Sequence, residues 1–359
     1  MRGEKMRITK IESFKQAVTL HHPFKIAFAT IDELQTIIVK VTTDTGWVGY
    51  GEASPFEPVT GESIETEMVM LTTFAEQLVG MDPRLIEQIH SALDATTVGH
   101  TAAKAGIDIA CYDILGQAAG LPLYQLLGGN SNQIVSDFTI GIDDPAAMAE
   151  EAQARVAAGF TELKVKVGGD DQQDLAAVRA IRAAVGPTVD IRIDANQAWT
   201  PKQAKRMMRA FGDDVSAVEQ PLPAAQTHQL PLVRELVDQP VMVDESVHDA
   251  HDAFHVLATG GADIVNIKLQ KASGLWGASQ INAVAEAAGI PVMLGCMVET
   301  RIGITAAVHF VAAHRNAQYA DLDAFMDFAE PEWLSGGFTQ EGGVYTLTDA
   351  PGLGIQCDL

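Results

Sequence analysis

The sequence predicts an α/β fold: a closed parallel barrel of eight strand–helix units, preceded by a small α+β domain. Three observations carry this. Charged residues end successive strand-like tracts at a near-constant interval: Asp194, Glu219 and Asp244 are 25 residues apart and Lys268 follows 24 later. A strand, a helix and two short loops need about that length. Within each tract residues two apart share a face, so Leu163, Val165 and Val167 oppose Lys164 and Lys166, and Val265, Ile267 and Leu269 oppose Asn266 and Lys268. Finally, strands alternate with helices from about residue 135 onward, the pattern of a parallel sheet with helices outside it. Eight units close into a barrel with its site at the C-terminal strand ends. The competing open doubly wound sheet lacks support, because no glycine-rich phosphate loop follows the first strand.

The elements follow in order. Residues 6–14 alternate as a strand. Residues 35–41 are β-rich, Asp44-Thr45-Gly46 is a turn, and 47–52 pair back as a hairpin. Residues 22–29 and 53–56 read as loop. Helices are expected over 62–79, 83–95 and 101–119, the last stopped by Gly120 before Leu121-Pro122. The first barrel strand is placed at 135–140, and its helix starts at the cap Asp144 with Pro145 in its first turn. Strand 2 carries Lys164 and Lys166, and its helix runs from about Asp171 to the stop at Gly186. Strands 3, 4, 5 and 6 carry Asp194, Glu219, Asp244 and Lys268. Residues 292–294 form strand 7, a helix covers 301–314, and strand 8 ends with Asp321-Leu322-Asp323. This divides the chain into an α+β domain over 1–125, a barrel over 126–325, and a segment over 326–359 in which 344–347 return to the first domain.

Composition narrows the function. The 359 residues carry a formal charge of −23. Nucleic-acid binding needs clustered Lys and Arg, so neither a nucleic acid nor an anionic membrane surface is an expected partner. The three cysteines, Cys111, Cys296 and Cys357, form no metal-spaced pair, and Cys111 and Cys296 sit in apolar stretches as core thiols. This usage fits a reducing cytoplasm. Residues 1–6 lead into no apolar signal segment and no 18-residue apolar run follows, so a cytoplasmic protein is expected, in homo-oligomeric form.

Three carboxylates converging on adjacent strands repel one another. A hard divalent cation removes that conflict, and oxygen-only ligands select Mg2+ or Mn2+ over Zn2+; the other reading of Asp194, Glu219 and Asp244 is a structural salt-bridge network. Glu245 and Asn196 are placed to orient the ligands. In a ring of eight, strands 2 and 6 are opposite, so Lys166 and Lys268 face each other across the lumen. A substrate carboxylate on the metal holds its α-carbon between them. One lysine, neutral, removes the α-proton while the other, charged, protonates the opposite face, which is racemisation or epimerisation; Lys164 and the metal stabilise the enediolate. A lone inward lysine otherwise serves as a salt-bridge partner. Asp321 and Asp323, across the ring from Glu219, suit an ammonium group at the far end of a dipeptide; the alternative is an Asp pair satisfied by loop amides.

These residues resemble the enolase superfamily, in particular the dipeptide epimerases of its muconate-lactonising subgroup. Lys164-Val165-Lys166 is similar to the family's Lys-x-Lys, Asp194, Glu219 and Asp244 to its Mg2+ ligands, and Lys268 to its opposing acid/base. Asp321-Leu322-Asp323 resembles the Asp-x-Asp that binds the substrate ammonium. Lysine bases with Mg2+ and an enediolate are a general property of such sites. The resemblance implies a (β/α)7β barrel under an α+β capping domain, one Mg2+ per subunit with Mn2+ as a substitute, and cap loops near 24–29 and 52–56 closing the site. Thr139, Met297, Val298, Phe24 and Ala29 complete the expected substrate contacts.

One departure bears on specificity. Family members that prefer Ala-Glu carry an arginine shortly after Pro-Phe-Lys; here Pro23-Phe24-Lys25 is followed by Ile26-Ala27-Phe28-Ala29, with Ala29 at that place. A side-chain carboxylate then loses a charge-assisted partner, unless Lys25 reaches inward. The expected substrate is an L,L-dipeptide with an uncharged, hydrophobic second residue. Competing activities are L-Ala-D/L-Glu epimerase of murein peptide metabolism, N-acylamino acid racemase, o-succinylbenzoate synthase and muconate cycloisomerase. The last three give no reason for Asp321 and Asp323. A non-catalytic dipeptide-binding barrel gives no reason for both lysines.

Overall fold

In the computed structural model, which describes residues 5–359, eight strands form one parallel sheet in chain order. They are Phe138–Ile140, Glu162–Lys166, Asp190–Asp194, Ala217–Glu219, Val241–Val243, Ile264–Lys268, Val292–Gly295 and Ala317–Asp321, numbered barrel strands 1 to 8. The ring closes between strands 1 and 8, where the Asp137 amide donates to the Ala320 carbonyl at 2.9 Å and the Leu322 amide to Ser136 Oγ at 2.9 Å. Seven helices link the strands, and none follows strand 8, so the barrel is (β/α)7β. Polar caps set the starts of five of them: Asp144, Asp170, Thr200, Asp249 and Thr300 each accept from an amide of the first turn. Each helix lays an apolar stripe on the sheet, as Ala204, Met207, Met208 and Phe211 do in Pro201–Phe211. Residues 1–4, which include most of the charged start of the chain, lie outside the described residues. Among the described residues no helix is long and apolar enough to cross a membrane.

Ahead of the barrel lies a three-stranded antiparallel sheet of Ile8–Lys25, Thr30–Thr43 and Val48–Ala53. Helices Ile64–Leu78 and Thr101–Ala119 pack on it, and Ile86–Thr96 packs on those two helices. The last helix is buried on nearly all sides. Its contact with Val48–Ala53 depends on glycine: a Cβ on Gly51 would sit 1.9 Å from the Gly106 carbonyl oxygen, and one on Gly49 2.1 Å from that of Ala110. Only a bare backbone permits that approach.

Four expectations need correction. The first strand does not stop near residue 14 but runs to Lys25, with an irregularity in its pairing between Thr19 and Phe24. Only Ile26–Ala29 turns, because the partner strand Thr30–Thr43 supplies hydrogen bonds along the whole length. The segment 135–140 is two strands: Gln133–Val135 joins Phe338–Glu341 and Val344–Leu347 in a separate sheet, and Phe138–Ile140 alone enters the barrel. Ser136 and Asp137 are spent on closing the ring. Strand 8 stops at Asp321, and Asp323 lies beyond it at the start of the 3-10 turn Ala324–Met326. Val344–Leu347 therefore returns to the strand leading into the barrel. It is residues 352–359 that touch the first domain, through the Leu353 amide on Asp113 Oδ1 at 2.9 Å and Lys40 on the Leu359 carbonyl.

His309 joins three parts of the chain. Its Nδ1 accepts from the Tyr124 amide at 3.0 Å and its Nε2 faces the Leu353 carbonyl at 3.3 Å. Accepting at one nitrogen while donating from the other requires neutral imidazole. Burial pulls its pKa from 6.5 down to about 4. A depressed folded-state pKa gives stability that is complete above 6.5 and is lost as pH falls through 4, on the order of 3 kcal/mol in all. Urea midpoints of wild type and His309→Gln should therefore converge between pH 7 and pH 4, the wild type losing more; parallel pH profiles would refute the assignment.

Candidate active site

A cavity of about 470 Å³ lies between the first domain and the C-terminal ends of the barrel strands. The barrel contributes Thr139, Lys164, Lys166, Asn196, Glu245, Lys268, Cys296, Met297, Val298, Asp321, Asp323 and Asp327 to its wall. The first domain contributes an apolar group, Phe24, Ile26, Phe28, Phe56 and Val59, and an acidic group, Asp32, Glu33, Glu57 and Glu65. Ala29 is not in the wall, which corrects the expected contact. Phe24, Ile26 and Phe28, two apart, line the cavity, whereas Ala29 closes the turn by accepting from the Ile26 amide at 3.0 Å. Lys25 is exposed and does not line it either.

The parallel register sets Lys166, Asp194 and Glu219 side by side on strands 2, 3 and 4. Asp244 stands one residue past strand 5. The three carboxylates are buried and do not form the cavity wall; ammonium groups that do line it are bonded to them. Lys166 holds Asp194 at 2.6 Å, Lys268 holds Asp244 at 2.9 Å, and Lys164 is 3.8 Å from Glu219. Lys271, buried and absent from the sequence reading, holds the other Asp244 oxygen, and its ammonium also donates to the Asp244 and Val247 carbonyls at 2.5 and 3.1 Å. Burial alone would raise the Asp244 carboxyl, but Lys268 and Lys271 keep it well below the usual carboxylate range. The Lys268 ammonium, disfavoured by burial, is in turn raised by Asp244. Glu219 is pushed up to about 7 by burial, and Asp194 and Asp244 oppose the relief that Lys164 brings.

Among the described residues no three acidic, histidine or cysteine side chains are drawn together as a ready ligand cage. The donor set nevertheless suits a hard cation. It is all oxygen, Glu219 carries an unrelieved repulsion, and Asn196 Oδ1, Glu245 Oε2 and Asn266 Oδ1 are buried acceptors with no partner. Glu245, pushed up to about 8 by burial and then by Asp244 and Asp194, receives Asn196 Nδ2 at 3.4 Å. Asn266 donates to Glu219 Oε1 at 2.6 Å. Backbone strain marks the loops just past the carboxylates: Asn196, Gln197 and Gln220 have φ of 40°, 70° and 34°.

Across the ring, Thr139 holds both acids of the Asp pair. Its hydroxyl donates to Asp321 Oδ1 at 2.9 Å and its amide to Asp323 Oδ2 at 2.6 Å. Lys164 takes the second Asp321 oxygen. Burial would raise Asp321, but Lys164 and then Lys166 hold it well below the usual range, whereas Asp323 is pushed up to about 6 by burial and by Asp321. Cys296 is a wall residue rather than a core thiol. Burial, then Asp321 and Asp323, raises it well above the ordinary value, so it stays protonated.

A clamp the sequence did not reveal fastens the first domain to this site. Gln270 accepts from the Ser54 amide at 3.0 Å and donates to the Glu52 carbonyl at 3.1 Å and Glu299 Oε2 at 2.9 Å. The Ser54 hydroxyl donates to the Val298 carbonyl at 2.7 Å. Glu52 receives Thr36 Oγ1 at 2.9 Å, the Thr300 amide at 2.8 Å and the Gly303 amide at 2.9 Å, at the start of helix Arg301–Ala313.

The sequence pattern of the mandelate racemase / muconate lactonizing enzyme N-terminal domain matches residues 8–128, and that of the enolase C-terminal domain-like family matches residues 147–359. The chain belongs to the enolase superfamily. Within it, the hydrophobic dipeptide epimerase of Enterococcus faecalis is 44% identical over 98% of this chain and 99% of its own. The L-Ala-D/L-Glu epimerase of Bacillus subtilis is 41% identical over 98% of this chain and 97% of its own. The crystal structure of the Enterococcus faecalis dipeptide epimerase with Mg and L-Leu-L-Tyr superposes with a TM-score of 0.95 at 43% identity, covering 98% of this chain and 99% of that one. Superfamily membership accounts for the barrel and its cap.

Lys271→Met keeps the length of the side chain and removes one of the two cations on Asp244. Urea unfolding should show a loss of roughly 3 kcal/mol. A change no larger than that of the exposed Lys10→Met, within about 0.5 kcal/mol, would show that Lys271 does not carry the Asp244 charge.

Proposed function

We propose that this chain is a dipeptide epimerase, an isomerase that inverts the α-carbon of the C-terminal residue of an L,L-dipeptide, one lysine removing its α-proton and a second delivering a proton to the opposite face. The observation that carries this reading is the shared cavity: Lys166 and Lys268, on strands four apart in a ring of eight, both line it, and the Asp321–Asp323 pair lines it too. Residues 1–125 act as the cap, 126–325 as the catalytic barrel, and 326–359 as the segment that ties them.

The α-carbon sits between the two lysine side chains, one of them the neutral amine and the other the ammonium. One lysine accepts the α-proton and the other returns a proton to the opposite face, and the roles exchange for the reverse reaction. Lys268, held charged by Asp244, is in the state of a donor. Lys164 sets its charge toward the substrate carboxylate, where negative charge develops. Asp194, Glu219 and Asp244 would hold one Mg2+ per subunit, with Mn2+ able to replace it, and Glu245 and Asn196 support them. When bound, the cation supplies positive charge at the substrate carboxylate. Asp321 and Asp323 hold the substrate ammonium, and Thr139 fixes both acids.

The second residue of the substrate meets Phe24, Ile26, Phe28, Phe56, Met297 and Val298. Nothing cationic from the 24–29 turn faces it, and Asp32, Glu33, Glu57 and Glu65 make the wall acidic. An uncharged, hydrophobic side chain fits this wall and a glutamate does not.

Three outcomes test the reading. Lys166→Ala and Lys268→Ala should each lower epimerisation by roughly 100- to 10,000-fold, with α-proton exchange surviving from one face in one of them; full activity in either excludes the two-base scheme. Chelation should abolish turnover, and Mg2+ or Mn2+ should restore it. In a deuterium-exchange screen, L-Ala-L-Phe should exceed L-Ala-L-Glu in kcat/KM by about tenfold or more; the reverse order would reject the apolar preference.

A further inference from the structure

The position of Lys164 carries an inference that rests on the dipeptide-epimerase reading and deepens it. Its ammonium is buried and lies between two carboxylates, bonded to Asp321 and 3.8 Å from Glu219. Asp321 has no oxygen to spare, since Thr139 takes Oδ1 and Lys164 takes Oδ2. Among the described residues the Asp323 carboxylate has no ion pair; it accepts from the Thr139 amide. The group assigned to the substrate ammonium is therefore already occupied by the group assigned to the substrate carboxylate.

We propose that Asp321 is a shared counter-ion: Lys164 holds it in the free protein, and the ammonium of an arriving dipeptide takes it over, releasing Lys164 toward the substrate carboxylate. Asp244 holds two ammonium groups because each has an oxygen of its own; on Asp321 the Thr139 hydroxyl already takes Oδ1, so an arriving ammonium meets Lys164 at Oδ2 and the two cations repel. Glu219 is the nearest alternative anion for Lys164, so the displacement is a short swing within one charged cluster. Asp323, free of any cation, receives the second bond of the incoming ammonium.

This links the two ends of the substrate. A dipeptide that brings a cation to Asp321 frees the lysine needed at the other end. An N-acyl amino acid or N-acyl dipeptide brings none, so Lys164 stays on Asp321 and the carboxylate end lacks its positive charge. Discrimination against acylated substrates then appears in the chemical step as well as in binding.

The test uses the full chain with Mg2+, L-Ala-L-Phe and N-acetyl-L-Ala-L-Phe, read as α-deuterium exchange. In the wild type the acetylated compound should lose in kcat, not only in KM. Asp321→Asn removes the charge that holds Lys164 yet keeps an oxygen for Thr139. It should raise turnover of the acetylated compound by about 10- to 100-fold while lowering that of the free dipeptide. Asp323→Asn, whose residue does not touch Lys164, should lower turnover of the free dipeptide with no gain for the acetylated one. Equal behaviour of the two variants, or a wild-type loss confined to KM, overturns the shared counter-ion while leaving the epimerase reading intact. If Asp321→Asn does not fold, the wild-type split between kcat and KM decides alone. A wild type that exchanges no dipeptide overturns both.

Discussion

Everything at the barrel mouth depends on buried charges of alternating sign. Carboxylates on strands 3, 4 and 5 would be untenable beside one another without a cation, and the ammonium groups of Lys164, Lys166, Lys268 and Lys271 provide it. Isolated buried ions of either sign carry a large desolvation penalty, and removing one partner strands the other. The strands therefore hold their lysines and acids at matched heights, which the parallel register enforces: Lys166 pairs in register with Asp194, and Asp194 with Glu219. Catalytic capacity and folding stability draw on the same set of ion pairs.

That set is unevenly balanced. Asp244 has two ammonium partners and stays strongly acidic, whereas Glu219 has one distant ammonium and an asparagine, and sits near neutrality. On the far side of the ring the Asp pair is split in the same way, Asp321 ionised by Lys164 and Asp323 raised by its neighbour. An unequal distribution leaves some groups firmly charged and others responsive to an arriving ion.

Most of the fold was legible because the barrel repeats one physical rule. Alternation gave the facing of Lys164, Lys166, Asp194 and Lys268, and the spacing gave the ring order. The cap Asp144 gave the start of the first barrel helix. The failures share a cause. The extension of the first strand to Lys25, the break at Ser136-Asp137 and the destination of Val344–Leu347 are decided by partners distant in sequence. Local pattern carries no information about them. The three acids and the paired lysines were readable by type and interval; Lys271 and Gln270 were not, because a single polar residue in a tract has no periodicity to betray its partner. Ala29 was misplaced for a simpler reason: a turn of four residues changes which side chains look inward.

Gln270 grips the cap through the Ser54 amide and the Glu52 carbonyl, both main-chain atoms. Its hold is therefore indifferent to the identity of the side chains that follow. Pro55, Phe56 and Val59 can be exchanged for others without breaking these two bonds, so the cap's share of the cavity wall can change shape while Lys166 and Lys268 keep their places on the barrel.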